Sequence, residues 1–234
     1  MKITTLLELF HILKKNYPKM EIVSIIPARG GSKGIKKKNL IDLNGKPLLS
    51  YGVNASLSSK VNKTYVCSED DEIIQEADKL GCNYLKRPNY LATDEAKTEP
   101  TLIYFSTKVK FDILVFIQAT SPLITSKIIN EGIHVLIQEN YDSVFTVHEE
   151  HWLPRWDENI NPLGWKTSNS PRRQDIKPSF VENGMMYITK RESLVKSKLR
   201  YSGKVGFIKI PLLKSFQVDS NEDLTLIKKI MEDV

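Results

Sequence analysis

Segments with the character of β-strands alternate with segments of helical character along most of the chain. Residues 22–26 and 113–117 are short and almost wholly apolar, as in strands that are buried on both faces of a sheet. The segments between such runs place apolar residues at the spacing of an amphipathic helix. Because strands that alternate with helices form parallel sheets, we predict a three-layer α/β/α domain with a mainly parallel, twisted sheet.

The expected secondary structure after residue 20 can be placed segment by segment. Strands are predicted at residues 22–26, 64–67, 82–86, 113–117, 142–147, 185–189 and 204–211. Helices are predicted at residues 47–58, 70–80, 101–109, 126–139 and 221–233. Gly81 ends the second helix, and Thr125 or Ser126 is the expected N-cap of the fourth.

The composition is that of a globular domain. With 234 residues, of which 41% are hydrophobic and 26% charged, the chain can bury a core without disulfides or metals. The longest apolar run, residues 113–117, is too short to cross a bilayer, so we expect no membrane partner. Two cysteines, Cys67 and Cys82, are expected to be reduced, as in a cytoplasmic protein. The net charge of +6 favours an anionic partner, either nucleic acid or a small phosphate ligand.

Residues 1–20 form an extension ahead of the predicted domain, which covers residues 21–234. Apolar residues recur in the extension at helical spacing until Pro18. This pattern predicts an amphipathic helix that packs on the domain or on a partner subunit, and a helix on a membrane surface is the alternative. A further alternative is that Met20 is the true start, because a strand pattern begins directly after it.

The regular alternation of strands and helices ends at His148. Between His148 and Phe180 lie all three tryptophans and four prolines, with little periodicity. Aromatic side chains are enriched at subunit contacts. We therefore predict that residues 148–184 form a dimerisation arm within the domain and that the protein is a homodimer.

A loop rich in glycine and basic residues, residues 27–39, follows the first predicted strand. Ligands of open α/β sheets bind outside the carboxyl ends of the strands. Glycines let backbone N–H groups approach an anion, and basic side chains add positive charge. The residues concerned are Gly30, Gly31, Gly34, Arg29, Lys33 and Lys38. The spacing matches neither the P-loop nor the dinucleotide motif, so we predict a different polyphosphate site. The alternative is a basic surface loop that binds nucleic acid.

A second polar segment follows the strand predicted at residues 113–117. Gln118 offers an amide, and Thr120 and Ser121 offer hydroxyls, where a ligand crevice is expected. The alternative is a polar turn that caps the next helix.

Six motifs along the chain resemble those of the acylneuraminate cytidylyltransferases, also called CMP-sialic acid synthetases. The motifs are residues 25–34 with Lys38-Asn39, 68–73, 86–88, 118–123, 171–174 and 182–184. The resemblance extends from residue 21 to the end of the chain. It implies that the protein uses CTP and Mg²⁺ to activate an acidic nine-carbon sugar, a 3-deoxy-2-keto acid, and that it releases pyrophosphate.

The resemblance also implies roles for individual residues. Arg29, Lys38 and Asp219 are expected to be catalytic, and Asp219 is expected to bind Mg²⁺. The residues expected to bind the nucleotide are Ala28, Gly30, Gly31, Ser32, Lys33, Asn39, Ser68, Arg87, Thr98 and Gln118. Those expected to bind the sugar are Thr120, Ser121, Arg172, Gln174, Asn183 and Tyr187. A guanidinium group suits the sugar carboxylate, and the resemblance favours Arg172 for that contact over its neighbour.

Some of these residues have purely structural alternatives. The alternative for Arg87 is an ion pair at the protein surface. Asp94 is expected to hold the loop near the nucleotide in place. The family commonly has an Asp-x-Asp motif here, and Gln217 stands in the position of its first aspartate. The implied metal site therefore has one carboxylate fewer. Gln217 could hold a metal-bound water instead. Asp219 could instead be the N-cap of the last helix, as could Ser220.

Two alternative functions remain open from the sequence. The acceptor could be another ulosonic acid, such as an octulosonate, legionaminate or pseudaminate sugar. A basic nucleic-acid-binding protein is the non-enzyme alternative. It would spread basic residues and stacking aromatics over one face, whereas here the basic loop is local and the tryptophans lie far along the chain. We therefore expect no nucleic-acid partner.

Overall fold

The computed structural model describes residues 20–150 and 154–232. Its strands are β1 Ile22–Pro27, β2 Asp42–Leu43, β3 Lys46–Pro47, β4 Lys63–Ser68, β5 Asn83–Lys86, β6 Ile113–Ile117, β7 Ser143–Glu150, β8 Ser179–Lys190 and β9 Val205–Lys209. Its helices are α1 Leu48–Leu57, α2 Asp71–Lys79, α3 Thr98–Lys108, α4 Ser126–Gln138, α5 Arg191–Ser197 and α6 Asn221–Glu232. The helix predicted within residues 1–20 precedes Met20 and lies outside the described residues.

Seven strands form one sheet in the order β5-β4-β1-β6-β8-β7-β9. Neighbours pair in parallel except β8, which is antiparallel to both β6 and β7. The predicted mainly parallel sheet is thus confirmed. Six strands end at the same edge, which brings the segments that follow β1, β4 and β6 together.

Helices cover both faces of the sheet, as the three-layer prediction requires. On one face, α1, α2 and α4 bury residues such as Leu49, Ile73 and Ile129 against the strands. On the other face, α3 and α5 bury Phe105 and Leu194. Helix α6 packs beside the sheet in a smaller cluster with β2 and α1. Thr125 is the N-cap of α4, since its hydroxyl accepts a hydrogen bond from the Ile128 N–H.

The structure contains elements that the sequence patterns did not predict. Strands β2 and β3 form a hairpin whose turn places Asn44 and Gly45 at φ values of 50° and 79°. Asn-Gly favours such turns, but two-residue strands show no periodicity. Helix α5 was also missed, because Leu194 is its one fully buried residue.

The boundaries of β7 and β8 differ from the prediction as well. Strand β7 continues past His148 to Glu150, and β8 begins at Ser179 rather than at residue 185. These extra residues pair with each other, since Glu150 lies opposite Ser179 in antiparallel register. The ends of the predicted arm are therefore part of the sheet.

Residues 154–178 are the irregular, described part of the predicted arm. Trp156 and Trp165 pack edge to face with their ring centroids 5.0 Å apart. Trp156 is nevertheless 45% exposed, and the apolar side chains of Ile160 and Leu163 nearby are exposed as well. His151 and Trp152 lie outside the described residues. A single subunit thus leaves aromatic surface uncovered in this segment, and its role in dimerisation stays a prediction.

Among the described residues, no helix has both the length and the apolar character needed to span a membrane.

Candidate active site

The glycine loop leaves the carboxyl end of β1 and presents backbone donors at the edge of the sheet. The Gly30 N–H donates to Glu69 Oε1 at 2.8 Å. Among the described residues, no acceptor bonds the N–H groups of Gly31, Ser32 or Lys33. A Cβ atom at Gly34 would lie 2.6 Å from the Asp219 carbonyl oxygen, so a side chain there would displace the loop. The loop therefore offers adjacent N–H groups in an arrangement suited to an anion.

A cleft of about 310 Å³ opens beside this loop, at the carboxyl ends of β1 and β6. Eight of the predicted site residues line it. They are Arg29, Lys38, Asn39, Arg87, Thr98, Gln118, Thr120 and Asp219. The structure thus brings these residues together at one edge of the sheet, and their predicted roles stay predictions.

Cations and carboxylates are paired across the mouth of the cleft. Lys38 Nζ lies 2.8 Å from Asp219 Oδ1, and Arg29 Nη1 lies 2.7 Å from Asp94 Oδ1. Lys33 Nζ is 3.3 Å from the second oxygen of Asp94. Hydrogen bonding by Arg29, followed by that of Lys33, lowers the pKa of the Asp94 carboxyl. Asp94 thus holds two cations of the glycine loop, in line with the expectation for it.

Arg87 and Asn39 are buried at the base of the cleft. Arg87 Nε and Nη2 donate to Glu69 Oε2 at 3.1 and 3.0 Å. Asn39 Nδ2 donates to the Arg29 carbonyl oxygen at 2.9 Å, which fixes the loop backbone. The ion pair of Arg87 is therefore a buried one that borders the cleft, not the surface pair considered as its alternative.

Gln217 connects the segment before Asp219 to the neighbouring strands. Its Nε2 donates to the Asn183 carbonyl oxygen, and its Oε1 accepts from Thr120 Oγ1 at 3.3 Å. A Cβ at Gly184 would lie 2.7 Å from this Nε2. Gln217 is therefore engaged with protein groups at both ends of its amide.

The structure shows which residue caps the last helix. Ser220 Oγ accepts from the Asp223 N–H at 3.2 Å, and Asp223 Oδ2 accepts from the Ser220 N–H at 2.8 Å. This reciprocal pair is a capping box with Ser220 as the N-cap. The Asp219 carboxylate bonds Lys38 instead and is 69% exposed at the cleft, so the capping alternative for Asp219 is wrong.

The donor groups near Asp219 fit Mg²⁺ only together with a phosphate ligand. The described ranges contain no group of three or more His, Cys, Asp or Glu side chains placed to hold a metal. Mg²⁺ is commonly bound by one or two carboxylates with phosphate oxygens and water completing its shell. One exposed carboxylate beside the glycine loop would meet that requirement once a phosphate ligand is bound.

Several predicted nucleotide-binding residues lie beside the cleft rather than on its walls. Gly30, Gly31, Ser32 and Lys33 are on the glycine loop, and Ala28 is buried beneath it. Ser68 is also buried, and its hydroxyl accepts from the Asp70 N–H at 3.0 Å, so it stabilises the turn after β4. Their predicted contacts with a nucleotide stay predictions.

Of the residues predicted to bind the sugar, Thr120 lines the cleft and the others do not. Ser121 is buried. Asn183 Oδ1 accepts from Thr146 Oγ1 at 2.6 Å, within the sheet. Tyr187 stacks behind Phe116, and burial, aided by its hydrogen bond to Glu182, raises the pKa of its hydroxyl.

Arg172 and Gln174 lie in the irregular segment and are exposed. Arg172 pairs with Asp175 at 2.7 Å. The structure does not bring either residue to the cleft.

Thr101 and Glu69 are among the residues at the site that were not singled out from the sequence. Thr101 lines the cleft and Glu69 lies beneath the glycine loop. Glu69 could have been suspected from its position in an acidic run directly after a predicted strand. Thr101 gave no comparable signal, because it lies within a predicted helix.

Comparison with known proteins agrees with this geometry. A family model described as cytidylyltransferase matches residues 23–230. N-acylneuraminate cytidylyltransferase A of Danio rerio is 33% identical over 211 residues, which are 86% of this chain and 49% of the relative. A Helicobacter pylori protein, pseudaminic acid cytidylyltransferase and UDP-2,4-diacetamido-2,4,6-trideoxy-beta-L-altropyranose hydrolase, is 29% identical over 78% of this chain and 37% of its own length. The chain thus spans about half, or less, of the length of these relatives.

A solved structure of CMP:2-keto-3-deoxy-manno-octonic acid synthetase complexed with CTP has the same fold. It superposes with a TM-score of 0.69 at 18% identity, over 91% of this chain and 99% of that one. The family model covers nearly all of the described domain, including the glycine loop, the cleft and Asp219. The chain belongs to the cytidylyltransferase family.

Proposed function

We propose that the protein transfers CMP from CTP to the anomeric hydroxyl of a sialic-acid-like 3-deoxy-2-ulosonic acid and releases pyrophosphate. The observation that carries this proposal is the convergence of the glycine loop, Arg29, Lys38 and Asp219 at one cleft. Those groups suit a triphosphate, and the names of the relatives from Danio rerio and Helicobacter pylori support cytidylyl transfer to a nonulosonate.

In this proposal the protein acts by positioning and by neutralising charge. Backbone donors of the glycine loop and the Arg29 and Lys38 side chains bind the triphosphate, whose α-phosphate gains negative charge as the sugar hydroxyl attacks. Thr98 and Gln118 at the cleft wall orient the nucleotide, and fixed orientation removes much of the entropic cost of the reaction. Pyrophosphate leaves on the side opposite the attacking oxygen.

Mg²⁺ is part of the proposal, with Asp219 as the carboxylate that would hold it. When bound, the ion supplies positive charge next to the phosphate oxygens. Lys38 keeps the Asp219 carboxylate at the cleft through their 2.8 Å contact. Gln217 holds the backbone before Asp219 in place through its bonds to Thr120 and Asn183.

The nature of the acceptor rests on similarity rather than on the cleft. N-acylneuraminate is the proposed acceptor class because the relative from Danio rerio is the more similar of the two relatives described above. Pseudaminic acid is the second candidate, named by the Helicobacter pylori relative. We propose that Arg172 contacts the sugar carboxylate, and Gln174 another part of the sugar, only in an assembly that closes the cleft, because both are exposed in the single chain.

The proposal is tested by a pyrophosphate-release screen with the purified protein. Four nucleoside triphosphates are combined with a panel of N-acetylneuraminate, legionaminate, pseudaminate and octulosonate sugars, with Mg²⁺ present. We expect release with CTP and a nonulosonate. Release with none of the sugars, or with octulosonate alone, would contradict the proposed acceptor.

We also propose a homodimer built by the arm at residues 148–184. Trp156, Ile160 and Leu163 are 45%, 77% and 54% exposed in the single chain, which is unusual for such a concentration of large apolar groups. Light scattering at micromolar concentration should give the mass of two chains. A fully active protein with the mass of one chain would contradict the proposal.

We propose a cytoplasmic location, because two reduced cysteines suit that compartment.

No role in nucleic-acid binding is proposed. Weak, salt-sensitive binding to random DNA is the expected result, and tight binding that persists at physiological salt would favour the nucleic-acid alternative.

Asp94 provides a prediction about the mouth of the cleft. Its carboxylate occupies Arg29 and Lys33, which the proposal assigns to the triphosphate. Asp94→Asn removes that competing charge, so we expect CTP to bind about three- to tenfold more tightly by calorimetry. Weaker binding would show that Asp94 orients Arg29 rather than competing with phosphate.

A further inference from the structure

A carboxylate lies beneath the glycine loop and has two different partners. Glu69 Oε1 accepts from the Gly30 N–H at 2.8 Å, and Glu69 Oε2 accepts two hydrogen bonds from Arg87. The side chains of Arg87 and Glu69 are only 5% and 15% exposed. This is a desolvated ion pair in which two guanidinium N–H groups converge on one carboxylate oxygen, and the geometry of each partner is fixed more strongly than at the surface.

The contacts of Glu69 connect parts of the chain that are distant in sequence. Gly30 follows β1, Glu69 follows β4, and Arg87 follows β5. The remaining donor of the guanidinium, Nη1, is directed at Thr101 Oγ1 of α3, at 3.4 Å. Both Arg87 and Thr101 line the cleft. One side chain therefore sets the position of the glycine loop relative to the opposite wall of the cleft.

The first glycine of the loop is tightly enclosed by this acidic segment. A Cβ at Gly30 would lie 2.1 Å from an oxygen of Asp70. Because Glu69 takes the Gly30 N–H, that donor anchors the loop, and the next N–H groups, at Gly31 and Ser32, remain for a ligand.

We infer that Glu69 is a positioning residue for nucleotide binding, acting through Gly30 and Arg87. The inference rests on the proposed function, since it concerns the affinity of the same cleft for CTP. It assigns Glu69 no contact with substrate. Its effect is to hold the loop donors and the Arg87 guanidinium at the separation that the nucleotide requires.

Simple electrostatics predicts the opposite effect of removing Glu69. A negative charge beside a triphosphate site repels the ligand, so its loss alone would tighten CTP binding. Glu69→Gln removes the charge and leaves one acceptor oxygen, so the amide can accept from Gly30 or from Arg87 but not from both. Glu69→Asp keeps the charge but is one methylene shorter, so it cannot reach Gly30 and Arg87 together. If Glu69 acts by positioning the loop and Arg87, both Glu69→Gln and Glu69→Asp should bind CTP more weakly than the wild type.

The experiment measures the dissociation constant for CTP by calorimetry, well below the unfolding temperature of each variant. We expect it to rise at least about tenfold in Glu69→Gln and about three- to tenfold in Glu69→Asp. The matched control is Asp142→Asn. Asp142 forms a half-buried ion pair with Lys190 at the opposite edge of the sheet. This control should lower the unfolding temperature and leave CTP affinity unchanged.

Each outcome decides the inference. CTP binding by Glu69→Asp and Glu69→Gln as tight as that of the wild type, or tighter, overturns it and leaves the proposed function standing. A wild-type protein that binds no CTP overturns both. Should Glu69→Gln fail to fold, Glu69→Asp alone decides, because it retains the charge of the buried pair. In steady state, the KM for CTP should rise in Glu69→Asp while the KM for the sugar stays unchanged.

Discussion

Replacing either of the two cations assigned to the triphosphate, by Arg29→Ala or by Lys38→Ala, should lower turnover about 100- to 1,000-fold. The physical reason is that each side chain donates a charge-assisted hydrogen bond to a phosphate whose charge increases in the transition state. The loss should fall on kcat, with a smaller rise in the KM for CTP because these side chains also bind the triphosphate in the ground state. Steady-state kinetics of CTP-dependent pyrophosphate release measures it.

The fold should survive both changes. Arg29 pairs with Asp94 and is one-third exposed, and such partly exposed pairs contribute little to stability. Lys37→Ala is the matched control, because Lys37 adjoins Lys38 but pairs with Glu72 and does not line the cleft. Its turnover should stay within about twofold of the wild type. Near-normal turnover in folded Arg29→Ala and Lys38→Ala would contradict the assignment of the triphosphate site.

Asp219→Asn should reduce turnover at least about 100-fold, because a neutral amide is a poor ligand for a hard divalent cation. The structure leaves Asp219 as an exposed carboxylate at the cleft with Lys38 as its partner. Mg²⁺ should therefore bind weakly to the free protein and well only with CTP present. Titration of activity with Mg²⁺, together with calorimetry with and without CTP, measures both effects.

Ser220→Ala is the control that separates metal binding from helix capping. Ser220 is the N-cap of α6, so its loss should lower the free energy of unfolding by about 1 kcal/mol. Turnover and Mg²⁺ dependence should be retained. If Asp219→Asn kept wild-type turnover and Mg²⁺ dependence, the carboxylate that holds Mg²⁺ would have to be another one.

Gln217 stabilises the segment that leads to Asp219. Its amide nitrogen donates to the Asn183 carbonyl oxygen, and its amide oxygen accepts from Thr120. These bonds use one of its two N–H donors and one of its two acceptor sites, so a contact with a metal-bound water stays a prediction. The motif around Gln217 alone could not show these bonds, because one partner lies in the turn after β6 and the other in β8.

The part of the site that was predictable from the sequence is the part built on regular strands. Parallel strands end at one edge, so the residues after β1 and β6 had to converge once the alternation of strands and helices was recognised. Arg29, Lys38, Gln118 and Thr120 follow this rule. Their position in the fold follows from periodicity alone, without any knowledge of the ligand.

Periodicity could not place side chains in the irregular parts of the chain. Arg172 lies in the irregular segment between β7 and β8, where no rule fixes the direction of a side chain, and it is exposed. Ser68 is a different case, because it is the last residue of β4: its hydroxyl accepts from the Asp70 N–H, and its contact with the nucleotide stays a prediction. Pairs such as Glu69 with Arg87 join two loops and depend on burial, which a single sequence does not reveal.

The most direct test of the central claim follows the α-phosphate of CTP. The protein is incubated with Mg²⁺, N-acetylneuraminate and CTP that carries a radioactive α-phosphate, and the products are separated by chromatography. The account predicts that the label appears in a new CMP-sugar and that equimolar, unlabelled pyrophosphate is released. Consumption of CTP with the label in free CMP or CDP, or label that stays in CTP with every sugar of the panel, would contradict it.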